Sequence, residues 1–190
     1  IFLYGFPDTP IRPINGFEDG NRKNIKLFKY FLNIYNKVKI PKSKLHLRIQ
    51  DNNINYIKNS IKLKIKNPKI EDWKKIPLKT SLKRANLCIN FFVGTPFFES
   101  LFYNKPTILI YDRTMNMNFD KNFLKILNSL KKNNIVFDDS KKAGEFINKN
   151  YLNIEKWWNK KEVQKIREKF CLMYCNNYRS DLNKKKIQIF

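Results

Sequence analysis

Asn90-Phe-Phe-Val-Gly-Thr-Pro-Phe-Phe-Glu-Ser-Leu-Phe-Tyr-Asn-Lys-Pro-Thr-Ile-Leu-Ile-Tyr-Asp112 is the stretch that decides the fold. Leu87-Cys88-Ile89 leads into Phe91-Phe92-Val93, an apolar run of strand length. Gly94 ends that run and permits a tight turn. Thr95-Pro96 then reads as a helix start, with Thr95 as N-cap and Pro96 at the first helical position, where a missing N–H costs nothing. Tyr103-Asn104-Lys105-Pro106 closes the helix, because Asn tolerates a left-handed cap and Pro106 cannot continue it. Thr107–Tyr111 is a second buried strand, so the unit is strand, turn, helix, strand, a βαβ crossover in a parallel sheet.

Parallel sheets bind ligands outside the carboxyl ends of their strands, where helix starts present free N–H groups to anions. Gly94 and Thr95 stand at that edge. Glu99 lies four residues after Thr95, one too far for a capping box, so it needs another partner and can face the ligand crevice. The plainer alternative is a capping Thr95 and a solvated Glu99 favoured by the helix dipole.

Outward from this unit, strands and helices alternate. A helical pattern from about Lys23 to Lys39 ends at Pro41. Leu45–Gln50 alternates as a half-buried strand, with Leu45, Leu47 and Ile49 on one face and His46, Arg48 and Gln50 on the other. Arg48 would reach the same sheet edge as Gly94, and a guanidinium suits phosphate or carboxylate; a surface pair with Asp51 is the alternative. Ile54, Ile57 and Ile61 suggest a short helix, and Ile61–Lys66 an outer strand whose lysines discourage edge pairing. Leu78–Ala85 is a short helix, Asp112–Asp120 a loop, and Phe123–Leu130 a helix. Ile135–Phe137 is a strand, and Asp138-Asp139-Ser140 supplies caps for the next helix. The last long helix runs from about Ile154 to Cys175, with a broad stripe containing Trp157, Trp158 and Phe170. Residues 1–21, with Pro7, Pro10, Pro13, Gly5, Gly16 and Gly20, read as a loop-rich entry or linker to a domain spanning 22–190. The expected fold is α/β: a Rossmann-like, doubly wound parallel sheet of about five strands, closed by the long C-terminal helix.

With 39 Lys+Arg against 16 Asp+Glu, the formal charge is +23, which favours polyanionic partners. The lysines are spread along the chain beside many Asn and Ile, as AT-rich coding produces, and no nucleic-acid signature accompanies them. A basic α/β module for nucleic acid or an anionic membrane surface is therefore the second reading, with nucleic acid disfavoured as a partner. The 3 cysteines, with His46 as the single histidine, argue against both a disulfide framework and a metal site, and point to a reducing, cytoplasmic setting. No apolar run approaches the roughly 18–20 residues of a membrane-spanning helix. The chain begins at Ile1 rather than Met, so it is expected to be the C-terminal part of a longer protein.

Three segments together carry a family resemblance: Leu-His-Leu-Arg-Ile (45–49), Phe-Val-Gly-Thr-Pro-Phe-Phe-Glu-Ser-Leu-Phe-Tyr-Asn-Lys-Pro-Thr-Ile (92–108) and Ile-Glu-Lys-Trp-Trp (154–158), followed by Val163-Gln164 and Phe170-Cys171. They are similar to the C-terminal half of transferases encoded in bacterial surface-polysaccharide gene clusters, which look like GT-B glycosyltransferases. The resemblance covers residues 22–176, with the Thr95–Pro106 block and the Trp-Trp pair its most specific parts. It implies a nucleotide-sugar donor, a glycan or lipid-linked acceptor and no further cofactor, with work at the inner face of the membrane in envelope polysaccharide assembly. It further implies that Gly94 and Thr95 donate hydrogen bonds to donor phosphate, Glu99 accepts from a ribose or sugar hydroxyl, and Arg48 neutralises the leaving phosphate. The catalytic base of such enzymes comes from the other domain or the cleft and is unassigned here. Asn90 stands where an aspartate could have served. The architecture also implies that one of Trp157 and Trp158 packs in the core, while the other meets the missing domain.

Overall fold

The computed structural model describes residues 2–7, 29–50, 62, 64–72, 74–111 and 119–175. The helix expected over Ile54–Ile61, the loop over 112–118 and Trp73 lie outside the described residues. The chain is a mixed α/β structure built on parallel strands. In chain order these are β1 (Phe2–Pro7), β2 (His46–Gln50), β3 (Lys69–Glu71), β4 (Cys88–Asn90), β5 (Thr107–Ile110) and β6 (Val136–Phe137). β2 pairs with β3, and β4–β5–β6 form a second group. The backbone of β1 pairs with both β2 and β4, which joins the groups in the order β3-β2-β1-β4-β5-β6. Among the described residues six strands stand where about five were expected, and the first of them falls in the stretch read as a loop-rich entry.

The helices are α1 (helical residues 29–37), α2 (Leu78–Arg84), α3 (Thr95–Phe102), α4 (Lys121–Lys132), α5 (Ser140–Asn150), α6 (Ile154–Trp158) and α7 (Lys161–Tyr174). The central βαβ unit ends as its turn chemistry requires. Asn104 takes φ 52, Lys105 N–H donates to Ser100 O at 2.9 Å, and Pro106 leads into β5, whose residues are all buried. Its start differs from expectation. Gly94, not Thr95, is the N-cap, and Thr95 is an exposed first helical residue. The Gly94 carbonyl accepts from Phe97 and Phe98 N–H, so the helix begins one residue earlier, and no side chain caps it. Gly94 is extended (φ −162), so its glycine is required by space rather than by backbone angle: a Cβ there would lie 2.3 Å from Phe92 Cε2.

Elsewhere the caps act locally. Asp120 accepts from Asn122 and Phe123 N–H at the start of α4, and Asp139 from Lys141 N–H at the start of α5. Asp138 instead pairs with Lys131. The alternating lysine segment is not an outer strand: residues 62 and 64 are helical, residues 65–67 form a bend that buries Ile65, and the strand follows at Lys69–Glu71.

The C-terminal region corrects two expectations. The single long helix is two, α6 and α7, separated at Asn159-Lys160, where Lys160 is extended and Gln164 Nε2 donates to Trp158 O at 2.8 Å. Both tryptophans are buried, Trp157 at 5% and Trp158 at 2% exposure, so neither is left for a neighbouring domain. Consecutive helical positions point about 100° apart, yet the two rings still meet at 5.3 Å between centres while reaching different partners. Trp157 packs edge-on to Phe146 and donates to Asn133 O; Trp158 donates to the Asn104 side chain at 2.8 Å. α7 then closes an aromatic cluster, with Phe170 5.6 Å from Phe97 and 5.3 Å from Phe98 between ring centres. Helix α1 buries Phe31 edge-on to Phe91, and α5 crosses it closely at Gly144, near Ile34 and Lys37.

Candidate functional site

The register places one row of residues across the sheet: Glu71, Arg48, Tyr4, Asn90 and Leu109 are successive Cα partners. Partners in a parallel row project to the same face, so Arg48 and Asn90 share a face two strand spacings apart, roughly 10 Å. Asn90 ends β4, and Arg48 is level with it, close to the carboxyl edge expected to hold a ligand. Instead of standing at the open edge, however, Arg48 is buried at 5% exposure. Its Nη1 donates to Glu71 Oε2 at 3.0 Å and to Ser81 Oγ at 3.2 Å, and Ser81 Oγ donates to the same carboxylate. Both partners of the ion pair are nearly dry, with side-chain exposures of 6% and 9%. Asp51, the partner considered in sequence, lies outside the described residues; among those described, the carboxylate that pairs with Arg48 is that of Glu71. His46, on the same strand face as Arg48, is exposed, and burial followed by neighbouring positive charge lowers its pKa.

Glu99 is half-buried one turn into α3. Burial pushes its carboxyl above the ordinary value, and the positive charge of Arg48 partly opposes that shift. Arg48 and Glu99 are therefore electrostatic neighbours. Gly94 is half-buried and Thr95 exposed at the uncapped start of the same helix. Of the four residues singled out in sequence, the fold gathers Arg48 and Glu99 by charge and Gly94, Thr95 and Glu99 by helix. Arg48 is thus fixed by its contact with Glu71 and coupled by charge to Glu99.

Sequence reasoning missed Glu71 and Ser81, and nothing local marks them. Glu71 lies on the strand Lys69–Glu71 rather than on the one expected over Ile61–Lys66, and Ser81 sits in the short helix Leu78–Arg84. Asn90 is 1% exposed, and its Nδ2 has no hydrogen-bond partner among the described residues. Behind it Cys88 is fully enclosed beside Ser100, and burial pushes its thiol up to about 12. Among the described residues no group of three or more His, Cys, Asp or Glu could hold a metal ion, and no helix is long and apolar enough to cross a membrane.

A cavity of about 550 Å³ opens toward the amino ends of β2 and β4, lined by Lys44, His46, Glu71, Ser81, Arg84 and Asn86 among others. It shares the Glu71–Ser81 wall with the Arg48 cluster, but neither Gly94, Thr95 nor Glu99 lines it.

A family model described as LIC12162 family transferase matches residues 27–189, most of the chain. No curated protein and no solved structure matches it.

Proposed function

The chain belongs to the LIC12162 family of transferases, and we propose that it forms the nucleotide-sugar donor-binding half of a GT-B-like glycosyltransferase in cell-envelope polysaccharide assembly. The observation that carries this reading is the carboxyl edge of β4, where a glycine turn opens onto the uncapped start of α3. The backbone N–H groups of Gly94 and Thr95, at a helix start in a parallel α/β sheet, are suited to phosphate. The strand order β3-β2-β1-β4-β5-β6 supports a Rossmann-like, doubly wound domain over residues 22–190 together with β1.

On this reading the backbone at Gly94 and Thr95 holds the donor diphosphate. Glu99 accepts a ribose or sugar hydroxyl, and its desolvation suits it to a neutral partner. Arg48, immobilised by Glu71 and Ser81, supplies a preorganised positive charge beneath the departing phosphate rather than a mobile side chain. The acceptor is a glycan or lipid-linked glycan, met at the cytoplasmic face of the membrane, where the +23 charge favours peripheral contact with anionic lipid. The base that activates the acceptor belongs to a second domain or the cleft.

Isothermal titration of the 190-residue chain with UDP-, GDP- and CMP-sugars tests the proposal. Saturable binding to one of them, weakened by Glu99→Ala, is expected. Absence of saturable binding to any would refute it.

A further inference from the structure

We infer that Asn90 is a ligand-binding residue of the α3 edge, its Nδ2 donating a hydrogen bond to an oxygen of the bound nucleotide-sugar; the inference rests on the donor-binding reading above. Buried polar groups in folded proteins are almost always paired, and an exception calls for a physical reason. Asn90 is such an exception: it is 1% exposed, and its Nδ2 has no partner among the described residues. An apolar residue of similar size would fill the same space without leaving a donor unsatisfied.

Position gives the reason. Cys88, two residues earlier on β4, lies within hydrogen-bonding reach of Ser100 on α3. Two residues advance a strand by about 6.6 Å, slightly more than the roughly 5.4 Å of one helical turn. Because α3 runs back against β4, Asn90 lies about one turn nearer the helix start than Ser100, level with Pro96 and facing the uncapped turn. The same face carries Arg48, on the same row of the sheet. Asn90 therefore faces the space between the guanidinium of Arg48 and the first turn of α3. It contributes a neutral side-chain donor beside the backbone amides of that turn and the charge of Arg48. Arg48 Nη1 is held by Glu71 and Ser81, so the guanidinium is fixed beside the amide of Asn90. Nδ2 is screened from solvent in this arrangement, so engagement requires side chains at the edge to move aside as the ligand enters.

The acceptor oxygen is a phosphate oxygen or a sugar hydroxyl, and two arms of one experiment separate them. Asn90→Leu, close in volume, and Asn90→Ser, which keeps a short polar group, are titrated with UDP, GDP and CMP and with the corresponding nucleotide-sugars. Thermal unfolding of the ligand-free proteins is measured in parallel. The expected result is affinity reduced about 10- to 100-fold in both variants, with Asn90→Leu unfolding at the same or a higher temperature than wild type. Loss with nucleotides and nucleotide-sugars alike identifies a phosphate oxygen; loss with nucleotide-sugars alone identifies a sugar hydroxyl. If wild type binds and both variants bind within twofold of it, the role of Asn90 is overturned while the donor-binding reading stands. If Asn90→Leu and Asn90→Ser both unfold several degrees earlier, the amide is a satisfied structural group and the inference falls. If wild type binds none of the probes, the donor-binding reading falls and takes this inference with it.

Discussion

Removing Arg48 should damage this protein more than removing its partner Glu71. The pair is 3.0 Å apart with side-chain exposures of 6% and 9%. At an effective dielectric of about 20, a contact of that length corresponds to roughly 5–6 kcal/mol of attraction before desolvation is subtracted. Net stabilisation is far smaller, because both ions had to leave water; removing one partner is a different matter, since the survivor stays buried without its counter-charge. Arg48→Met leaves the Glu71 carboxylate with only Ser81 as a described donor, and it also strips Glu99 of the charge that offsets its burial. A loss of about 3–5 kcal/mol is expected. Glu71→Gln leaves Arg48 beside the Glu99 carboxylate and the Ser81 hydroxyl, so its cost should be smaller, about 1–3 kcal/mol. The double variant Arg48→Met/Glu71→Leu removes both charges and should fall within about 2 kcal/mol of wild type. Urea unfolding at pH 7 reads these differences. With a slope near 2 kcal/mol/M, Arg48→Met should shift the midpoint by roughly 1.5–2.5 M. If Glu71→Gln costs as much as Arg48→Met, or the double variant is worse than either single one, the reasoning from two carboxylates around one guanidinium is wrong.

Gly94→Ala should cost about 1–3 kcal/mol by forcing the Phe92 ring aside, since the added Cβ would lie 2.3 Å from it. Phe92→Leu should rescue that loss in chemical denaturation; failure of the rescue would point to a backbone origin. Glu99→Gln should stabilise the protein at pH 7, because burial raises the Glu99 pKa above 4.5 and makes ionisation the unfavourable step in the folded state. A raised acid contributes stability that is full below its unfolded value and is lost as pH rises through its folded value, so the gain over wild type should vanish below pH 4.5. Unfolding midpoints across the acid range would show a constant gain if that attribution were mistaken. Cys88, Cys171 and Cys175 are all buried, and the Cys88 thiol is pushed up to about 12, so a chromogenic disulfide reagent should label none of them quickly until the protein is denatured. Trp157→Ala and Trp158→Ala should each cost about 3–5 kcal/mol, since both rings are core; a variant that unfolds like wild type would restore the idea of an interface tryptophan.

Residues acting on their immediate neighbours could be read without coordinates. The strand expected to run on through Phe91–Val93 stops at Asn90, but Asn104 takes the left-handed turn before Pro106, and Asp139 caps the helix that follows it. Each is a short-range effect of backbone freedom or a side-chain oxygen, and the apolar strands Cys88–Asn90 and Thr107–Ile110 follow from composition alone. The parallel α/β character and the placing of Gly94, Thr95 and Glu99 on one helix at a strand's carboxyl end were therefore legible.

What the chain could not reveal depends on contacts between distant segments. Arg48 meets a carboxylate 23 residues away because β2 and β3 align Arg48 with Glu71, and register is a property of the assembled sheet. The lysine alternation near Lys62 looked like an outer strand, yet the bend there buries Ile65 and delays the strand to Lys69. The apolar stripe of Ile154–Cys175 was continuous in sequence, but the helix breaks at Asn159-Lys160, just after the mutually packed rings of Trp157 and Trp158. Asn90 looked like a lost acid until burial left its amide without a described partner. Local stereochemistry determined the elements; desolvation, register and pocket shape decided which polar side chains are spent on structure and which remain for a ligand.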